Sequence, residues 1–529
     1  MSKAGSKRHA LMVGAGILCS RVLGLVRQRV FAHYFGLSDV ADAFSSALRV
    51  PNFLQNLFGE GVLSASFIPV YASLLGQGKD EEANRVAGAI GAILALAISL
   101  IVVLGIVATP YLLWVIAPGY SGGKRELTIL LVRILFPGTG LLVCSAWCLG
   151  ILNSHRRFFL SYAAPVIWNL AMIATLLIFR RADQQQLAID LAWGTVLGCL
   201  LQFLVQVPSV VKLTRGLRLR LDFRCLHVRE VIGNFGSVAV SRGVVQISAF
   251  VDQAISTLLG QGAMAAMTTA ASITMLPVSL FGMAVSAAEL PAMSSMARQD
   301  AGAKGSAELR QRLDTGLRRI AFFIVPSAMA FFALGNVITA ALYQSGAFTH
   351  ANALYVWAII AGSGVGLLAS TLGRLYSSTY YALRDTRTPL RFALVRLAVT
   401  AALGVASALL LPSVFGLAPR WGAAGLTASA GVAGWIEFYL LRRTLNARIG
   451  VTGLPLSYTV TLWVTAGLAA AGAVLVERVV GLAHPVLCAA AILGAYGGLY
   501  FLLTLAARVD ECIELGRMLR ILPRPAGGR

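Results

Sequence analysis

Apolar stretches of about 20 residues, bounded by charge, Pro or Gly, recur along the whole chain, and each is long enough to cross a bilayer as a helix. They predict fourteen helices, near residues 9–34, 40–75, 88–117, 126–152, 158–179, 187–211, 230–258, 264–297, 320–345, 351–383, 390–413, 421–441, 454–476 and 484–507. Composition agrees: of 529 residues, 57% are hydrophobic and 12% charged, with a mean hydropathy of +0.77, where a soluble chain carries about twice that charged share. The fold class expected is an all-α polytopic membrane protein, and the length divides into spans rather than soluble domains.

Charge orients the spans. The chain carries 44 Lys and Arg against 22 Asp and Glu, a net of +22. In a soluble protein that excess would point to nucleic acid; here it follows the loops. With the basic N-terminus (Lys3, Lys7, Arg8) in the cytoplasm, 30 Lys and Arg fall in cytoplasmic connections and tails, against 6 in the opposite ones. That bias is the positive-inside pattern. It places both termini in the cytoplasm and implies no nucleic-acid partner, with Arg180 and Arg181 as one local violation. The seven Cys and six His form no disulfide framework or metal pattern, and the first apolar run, interrupted by Arg21, Arg27 and Arg29, does not read as a cleavable signal.

The sequence also repeats. A shift of about 221 to 226 residues brings Ser20 and Arg21 onto Ser241 and Arg242, Pro51 onto Pro277, Leu57, Phe58 and Gly59 onto Leu280, Phe281 and Gly282, and Pro69 onto Pro291. Six spans per copy is an even number, so both copies insert the same way, as two parallel repeats. The organisation expected is a six-helix lobe over 1–212, an interfacial linker over 213–229 whose Arg residues snorkel to the headgroups, a second six-helix lobe over 230–441, two extra helices over 442–507 and a basic cytoplasmic tail over 508–529.

Charges inside spans cost about 2.5–3.5 kcal/mol each on insertion scales, so they point to function first. Arg21, Arg27, Arg29, Arg49 and Arg242 and the acids Asp42, Glu60, Asp252 and Glu289 all fall in the first, second, seventh and eighth helices, equivalent pairs in the two copies. Converging guanidiniums suit forked hydrogen bonding of phosphate or pyrophosphate; the competing reading is a set of ion pairs that hold helices together. For Arg133, Arg374 and Arg396, snorkelling near a helix end is the expectation. No GxxxxGK[ST] phosphate loop occurs, the nearest string being GYSGGKRE. A carrier driven by an ion gradient or the membrane potential is therefore favoured over an enzyme, with no cofactor.

Specific strings then carry a resemblance. SRVLGLVRQRVFAHYFG, DVADAFSSALRVPNFLQNLFGEGVLSASFIPVY, GILNSHRRF, APVIWNL, LPVSLFGMAVSAAELP, YQSGAF and YYALRDTRTP resemble the lipid II flippases, the MurJ (MviN) family of the multidrug/oligosaccharidyl-lipid/polysaccharide exporter superfamily. The resemblance implies a carrier in the bacterial cytoplasmic (inner) membrane that moves lipid II, the undecaprenyl-pyrophosphate-linked disaccharide pentapeptide of peptidoglycan, from the inner to the outer leaflet. It implies membrane lipids and the cell-wall synthesis machinery as partners, and a lipid-tail groove formed by the last two helices. Ser20, Arg21 and Arg27 match the family's first-helix motif, Asp42 its second-helix acid, and Pro51, Asn52 and Glu60 its PN and EG positions. The chain departs from the family at Gln28, at Gln55 and at Ser272, where the family has an eighth-helix Arg.

The substrate-binding set expected is Ser20, Arg21, Arg27, Asp42, Arg49, Glu60 and Arg242, with Arg242 standing in for the missing Arg. Asp252 and Glu289 are the candidates for coupling to Na⁺ or H⁺. The alternatives are a flippase for another polyprenyl-pyrophosphate-linked oligosaccharide, a cation-coupled drug exporter, whose cleft should be acidic, and a non-transporting scaffold of the cell-wall machinery.

Overall fold

The computed structural model describes residues 3–180, 183–214, 216–286, 289–290, 293–294, 303–479 and 485–519. Within these, the side chains at 3–18, 51, 60, 158, 161–162, 237–249, 303–304 and 518 lie outside the description. All fourteen expected helices are found in order. They are α1 (Lys3–Phe35), α2 (Asp39–Phe58) continued by α3 (Glu60–Gly76), α4 (Asp80–Ile116), α5 (Gly122–Ser154), α6 (Phe158–Ile178), α7 (Gln184–Leu213), α8 (Leu226–Thr257) and α9 (Ala263–Pro277). Then follow α10 (Ala303–Ala333) with the short α11 (Gly335–Tyr343), α12 (His350–Ala382), α13 (Arg387–Val405), α14 (Gly422–Ile449), α15 (Leu456–Val479) and α16 (Pro485–Ala506), and a final short helix α17 (Asp510–Met518). Eleven helical stretches are long and apolar enough to cross a membrane, a shorter one over Ala163–Ile178 is apolar as well, and α1 and α8 occupy the first and seventh expected spans.

Two spans read as single helices are broken. The second divides at Gly59, where a Cβ would lie 2.2 Å from the Gln55 carbonyl oxygen, a geometry closed to any other residue. The ninth divides at Leu334, between α10 and α11. After Pro277, which has no N–H to donate, the helix of α9 slips into a π segment over Val278–Met283.

By contact, the chain forms two compact units: Met1–Ala265 with Ser345–Phe348, and Ala266–Gln344 with Thr349–Arg529. The seventh helix, expected to open the second lobe, groups with the first unit, where α8 packs against α3 and α4. The connection before it is not helical. It lies over the start of α4, with Asp222 bonded to Arg85 at 2.6 Å and capping the amides of Arg224 and Cys225, while Leu219, Leu221 and Phe223 stay exposed.

In the second unit, α15 and α16 are fastened to α10 by three tyrosines whose hydroxyls donate to main-chain carbonyls: Tyr458 to Arg318, Tyr496 to Pro326 and Tyr500 to Phe322. The segment expected as a basic tail begins instead with the acidic helix α17. Its Asp510 and Glu511 bind Arg318, and its Glu514 binds Arg319. The acids in α17's first turn also suit the positive end of its dipole.

Three helices end in an arginine in the left-handed conformation: Arg156 after α5, Arg384 after α12 and Arg508 after α16. At the second corner Asp385 accepts from the Arg387 and Thr388 amides and the Thr388 hydroxyl, and it pairs with Arg448 at 2.7 Å. The Thr388 amide first, then its hydroxyl and Arg448, hold the Asp385 carboxyl down at about 2. Because the folded value is depressed, this stabilisation is complete above the ordinary carboxylate value of about 3.9 and disappears as pH falls toward 2. In thermal melts, Asp385→Asn should therefore melt below the wild type at pH 6, with the gap closing between pH 4 and pH 2. A gap independent of pH would exclude this account of the corner.

Candidate functional site

On α1, Ser20 is half-buried and Arg21 exposed. Arg27, six residues on, lies with its guanidinium 4.9 Å from the centre of the Trp168 ring and its Nη1 3.8 Å from the Met172 sulfur. Trp168 and Met172 are one turn apart on α6, so α6 offers Arg27 a flat, polarisable wall that holds the cation without neutralising it. Gln28 is buried, and Arg29 is half-buried.

α2 carries Asp42, Ser46 and Arg49 at i, i+4 and i+7, one polar face of a helix whose other sides are apolar. Asp42 is wholly buried. Its Oδ2 accepts from the Gly262 amide at 2.7 Å and from Lys124 Nζ at 2.7 Å, and its Oδ1 accepts from the Ala265 amide at 2.8 Å. It thus satisfies N–H groups at the start of α9, which the helix itself leaves unpaired, and it joins α2 to that first turn and to α5. Lys124 also pairs with Asp39 at 2.8 Å and lies over the Tyr120 ring at 4.4 Å. Tyr120 shares a hydrogen bond of 2.8 Å with Ser46. Asp42 is therefore engaged on every side within the protein, as a positioning residue.

One turn beyond Ser46, the main opposite charge acting on Arg49 is Asp252 of α8. The same two helices meet one turn further on, where Phe53 and Phe250 pack edge to face at 4.8 Å. Asp252, a candidate for ion coupling by sequence, thus faces Arg49. The side chains of Glu60 and Arg242 lie outside the described residues.

In the second unit, Glu289 is bound by Arg312 of α10, Nε to Oε2. Ser272 donates to the Thr269 carbonyl and shares a hydrogen bond of 2.8 Å with the buried Tyr343 hydroxyl, so a pair of hydroxyls stands at this position of α9. Arg396, for which snorkelling was the expectation, instead pairs through Nη1 with Glu437 of α14 at 3.0 Å. Arg133 is exposed and donates to the Ile106 carbonyl. Sequence reasoning missed Lys124, Tyr120, Trp168 and Glu437. For Glu437, the signal was an acid in the middle of an apolar run; for Lys124, a lysine at the head of a span.

Comparison with known proteins finds one family along most of the chain. A family profile described as lipid II flippase MurJ matches residues 31–493. The chain belongs to the lipid II flippase MurJ family. It is 32% identical over 447 residues to the lipid II flippase MurJ of Burkholderia cenocepacia, covering 83% of this chain and 84% of that one. It is 30% identical over 479 residues to the probable lipid II flippase MurJ of Vibrio cholerae, covering 88% and 87%. Among solved structures, a lipid II flippase MurJ in an inward closed conformation superposes with a TM-score of 0.75 at 23% identity, over 93% of this chain and 98% of that one. An inward-facing multidrug resistance MATE transporter of the MOP superfamily superposes with a TM-score of 0.65 at 19% identity, over 80% and 95%. These likenesses establish the MurJ fold for the chain, a multi-pass helical membrane protein.

Proposed function

We propose that the chain carries lipid II from the inner to the outer leaflet of the bacterial cytoplasmic membrane by alternating access, as a flippase without catalytic chemistry of its own. Membership of the MurJ family supports the substrate. The observation that carries the chemistry is Arg27 laid on Trp168 with Arg21 exposed on the same helix. Guanidiniums cannot lose their charge and present a planar fork that matches pyrophosphate. An aromatic wall keeps such a group oriented yet able to exchange partners. Arg49, with Arg242 in place of the arginine lost at Ser272, completes the cationic set, and Ser20 and Glu60 flank it.

Both termini lie in the cytoplasm in this reading, and the repeats 1–212 and 230–441 supply the two halves of the cycle, with 213–229 between them. α15 and α16 hold the polyprenyl tail. Asp252, facing Arg49, is the group whose binding of Na⁺ or a proton would release that arginine and couple a gradient to the cycle. Glu289, tied to Arg312, steadies the second unit instead. The Arg-rich first helix pair argues against a cation exporter, whose site should be acidic.

Complementation in a bacterium depleted of its own lipid II flippase tests this, read with an assay of lipid II on the outer leaflet. Wild type should rescue growth, and Arg21→Ala and Arg27→Ala at equal expression should lower lipid II exposure at least tenfold. Absence of rescue by well-expressed wild type would overturn the proposed substrate.

A further inference from the structure

A second group of charges lies within the second unit, on α12, α13 and α14. Arg396 of α13 is bonded to Glu437 of α14 at 3.0 Å. Arg374 of α12 feels both, repelled by Arg396 and attracted by Glu437. It closes no salt bridge among the described residues, and it is exposed, in a helix that crosses the membrane. Two permanent cations thus share one carboxylate.

Helix packing does not need these charges. The repeat supplies an internal comparison, its register fixed by the left-handed corners Arg156 and Arg384 and by two close helix approaches. A Cβ on Gly138 would meet Cys199 between α5 and α7, and one on Gly366 would meet Gly431 between α12 and α14. One residue from the positions that match Arg374 and Glu437, the first unit has Ser145 and Gln206. There the Gln206 amide donates to Ser145 Oγ at 2.7 Å, both groups neutral and buried. The α12–α14 pair is already joined by neutral bonds: Trp435 Nε1 to the Val365 carbonyl, Thr427 Oγ1 to that of Ile359 and Tyr380 Oη to that of Leu441. The surplus positive charge is left for something outside the chain.

We propose that Arg374, beside an Arg396 held in place by Glu437, binds the phosphate head of a membrane amphiphile at a site built from α12, α13 and α14 of the second unit. The ligand is anionic because the site is cationic at any pH at which the protein is folded. It bears phosphate because an uncommitted guanidinium fork matches phosphate oxygens bidentately. It is an amphiphile because Arg374 lies eight residues, about 12 Å, inside the end of α12, and Arg396 nine residues, about 14 Å, inside the start of α13. A head group drawn that far in needs a tail that remains in lipid. Arg391, exposed on α13, and Tyr381, exposed on α12, lie on the way from the helix ends.

Native mass spectrometry of the full-length protein in detergent tests the site, with dioleoylphosphatidylglycerol, undecaprenyl phosphate and zwitterionic dioleoylphosphatidylcholine as probes. Arg374→Gln should lose at least tenfold in retention of a phosphate-bearing anionic lipid and Arg374→Lys a few-fold, while phosphatidylcholine retention stays equal in both. A loss seen with phosphatidylglycerol identifies bulk phospholipid as the occupant; a loss confined to undecaprenyl phosphate identifies the polyprenyl carrier. Arg374→Gln retaining both anionic lipids at the wild-type level overturns the proposal. Should Arg374→Gln not fold, Arg374→Lys carries the test, and undiminished retention by it overturns the proposal equally. Rescue of growth by Arg374→Gln would leave the lipid II reading intact whatever the lipid measurement gives, so the two can fail separately.

Discussion

Asp42→Ala should leave little folded protein. The substitution removes the acceptor for two main-chain amides, Gly262 and Ala265, and for Lys124, whose side chain is only 16% exposed. Breaking a buried charge pair by deleting one partner costs about 3–5 kcal/mol, because the surviving charge is left without compensation, and a buried amide left without an acceptor adds to that. Against a total stability of about 5–15 kcal/mol, the loss should appear as a collapse in yield and a much lower melting temperature in detergent. Asp42→Asn keeps one oxygen for an amide and should fall between. Asp39→Ala, at the half-exposed end of the same lysine, should cost less than about 1 kcal/mol. If Asp42→Ala melts within about 2 °C of the wild type, the residue is not holding α2 to the start of α9.

The second large effect concerns Arg49 and Asp252. Arg49→Gln removes the cation that acts on Asp252 from α2, and Asp252→Asn removes the opposite charge that acts on Arg49. Each single change should lower lipid II export and melting temperature. The double substitution Arg49→Gln with Asp252→Asn should cost less than the two singles added together, by roughly 1–3 kcal/mol of coupling, as groups in one charge network do. The swap Arg49→Asp with Asp252→Arg should recover part of the melting temperature without export, because coupling needs the acid on α8. Strict additivity in the thermal melts would show that the two residues act independently.

Much of the scaffold was written in hydropathy and in the placement of Lys and Arg, because crossing a bilayer demands a long apolar helix and nothing subtler. Interactions closed between distant segments were hidden. Asp42 stood out as an acid in a span, but its partners are main-chain amides 220 and 223 residues away, and an amide carries no residue identity to read. Arg396 looked like a snorkelling side chain because its position gives its depth, whereas its partner Glu437 is 41 residues on, in another helix. Trp168 could not be told from a core aromatic until α6 was seen to lie beside α1. The break at Gly59 was masked because the helices on either side of it, α2 and α3, form one continuous span by length and hydropathy. The arginines of α1 were legible as a set through their cost in lipid; the hydroxyl pair that Ser272 makes with Tyr343 came only from packing.

The first unit also bears on how the chain is made. It is completed by Gly262 and Ala265 and by the short segment Ser345–Phe348, whose Ala347 amide donates to the His33 carbonyl at 2.8 Å. At synthesis rates of about 5–20 residues per second, Asp42 precedes its second amide partner by roughly 10–45 s, and the segment at 345–348 comes later still. Through that interval the early helices sit in the bilayer with an acid, already paired to Lys124, whose two main-chain partners do not yet exist. The N-terminal half cannot mature as an independent domain and wait for the other; it finishes only when the chain has passed through the start of the next, so the two repeats are joined in time as well as in sequence.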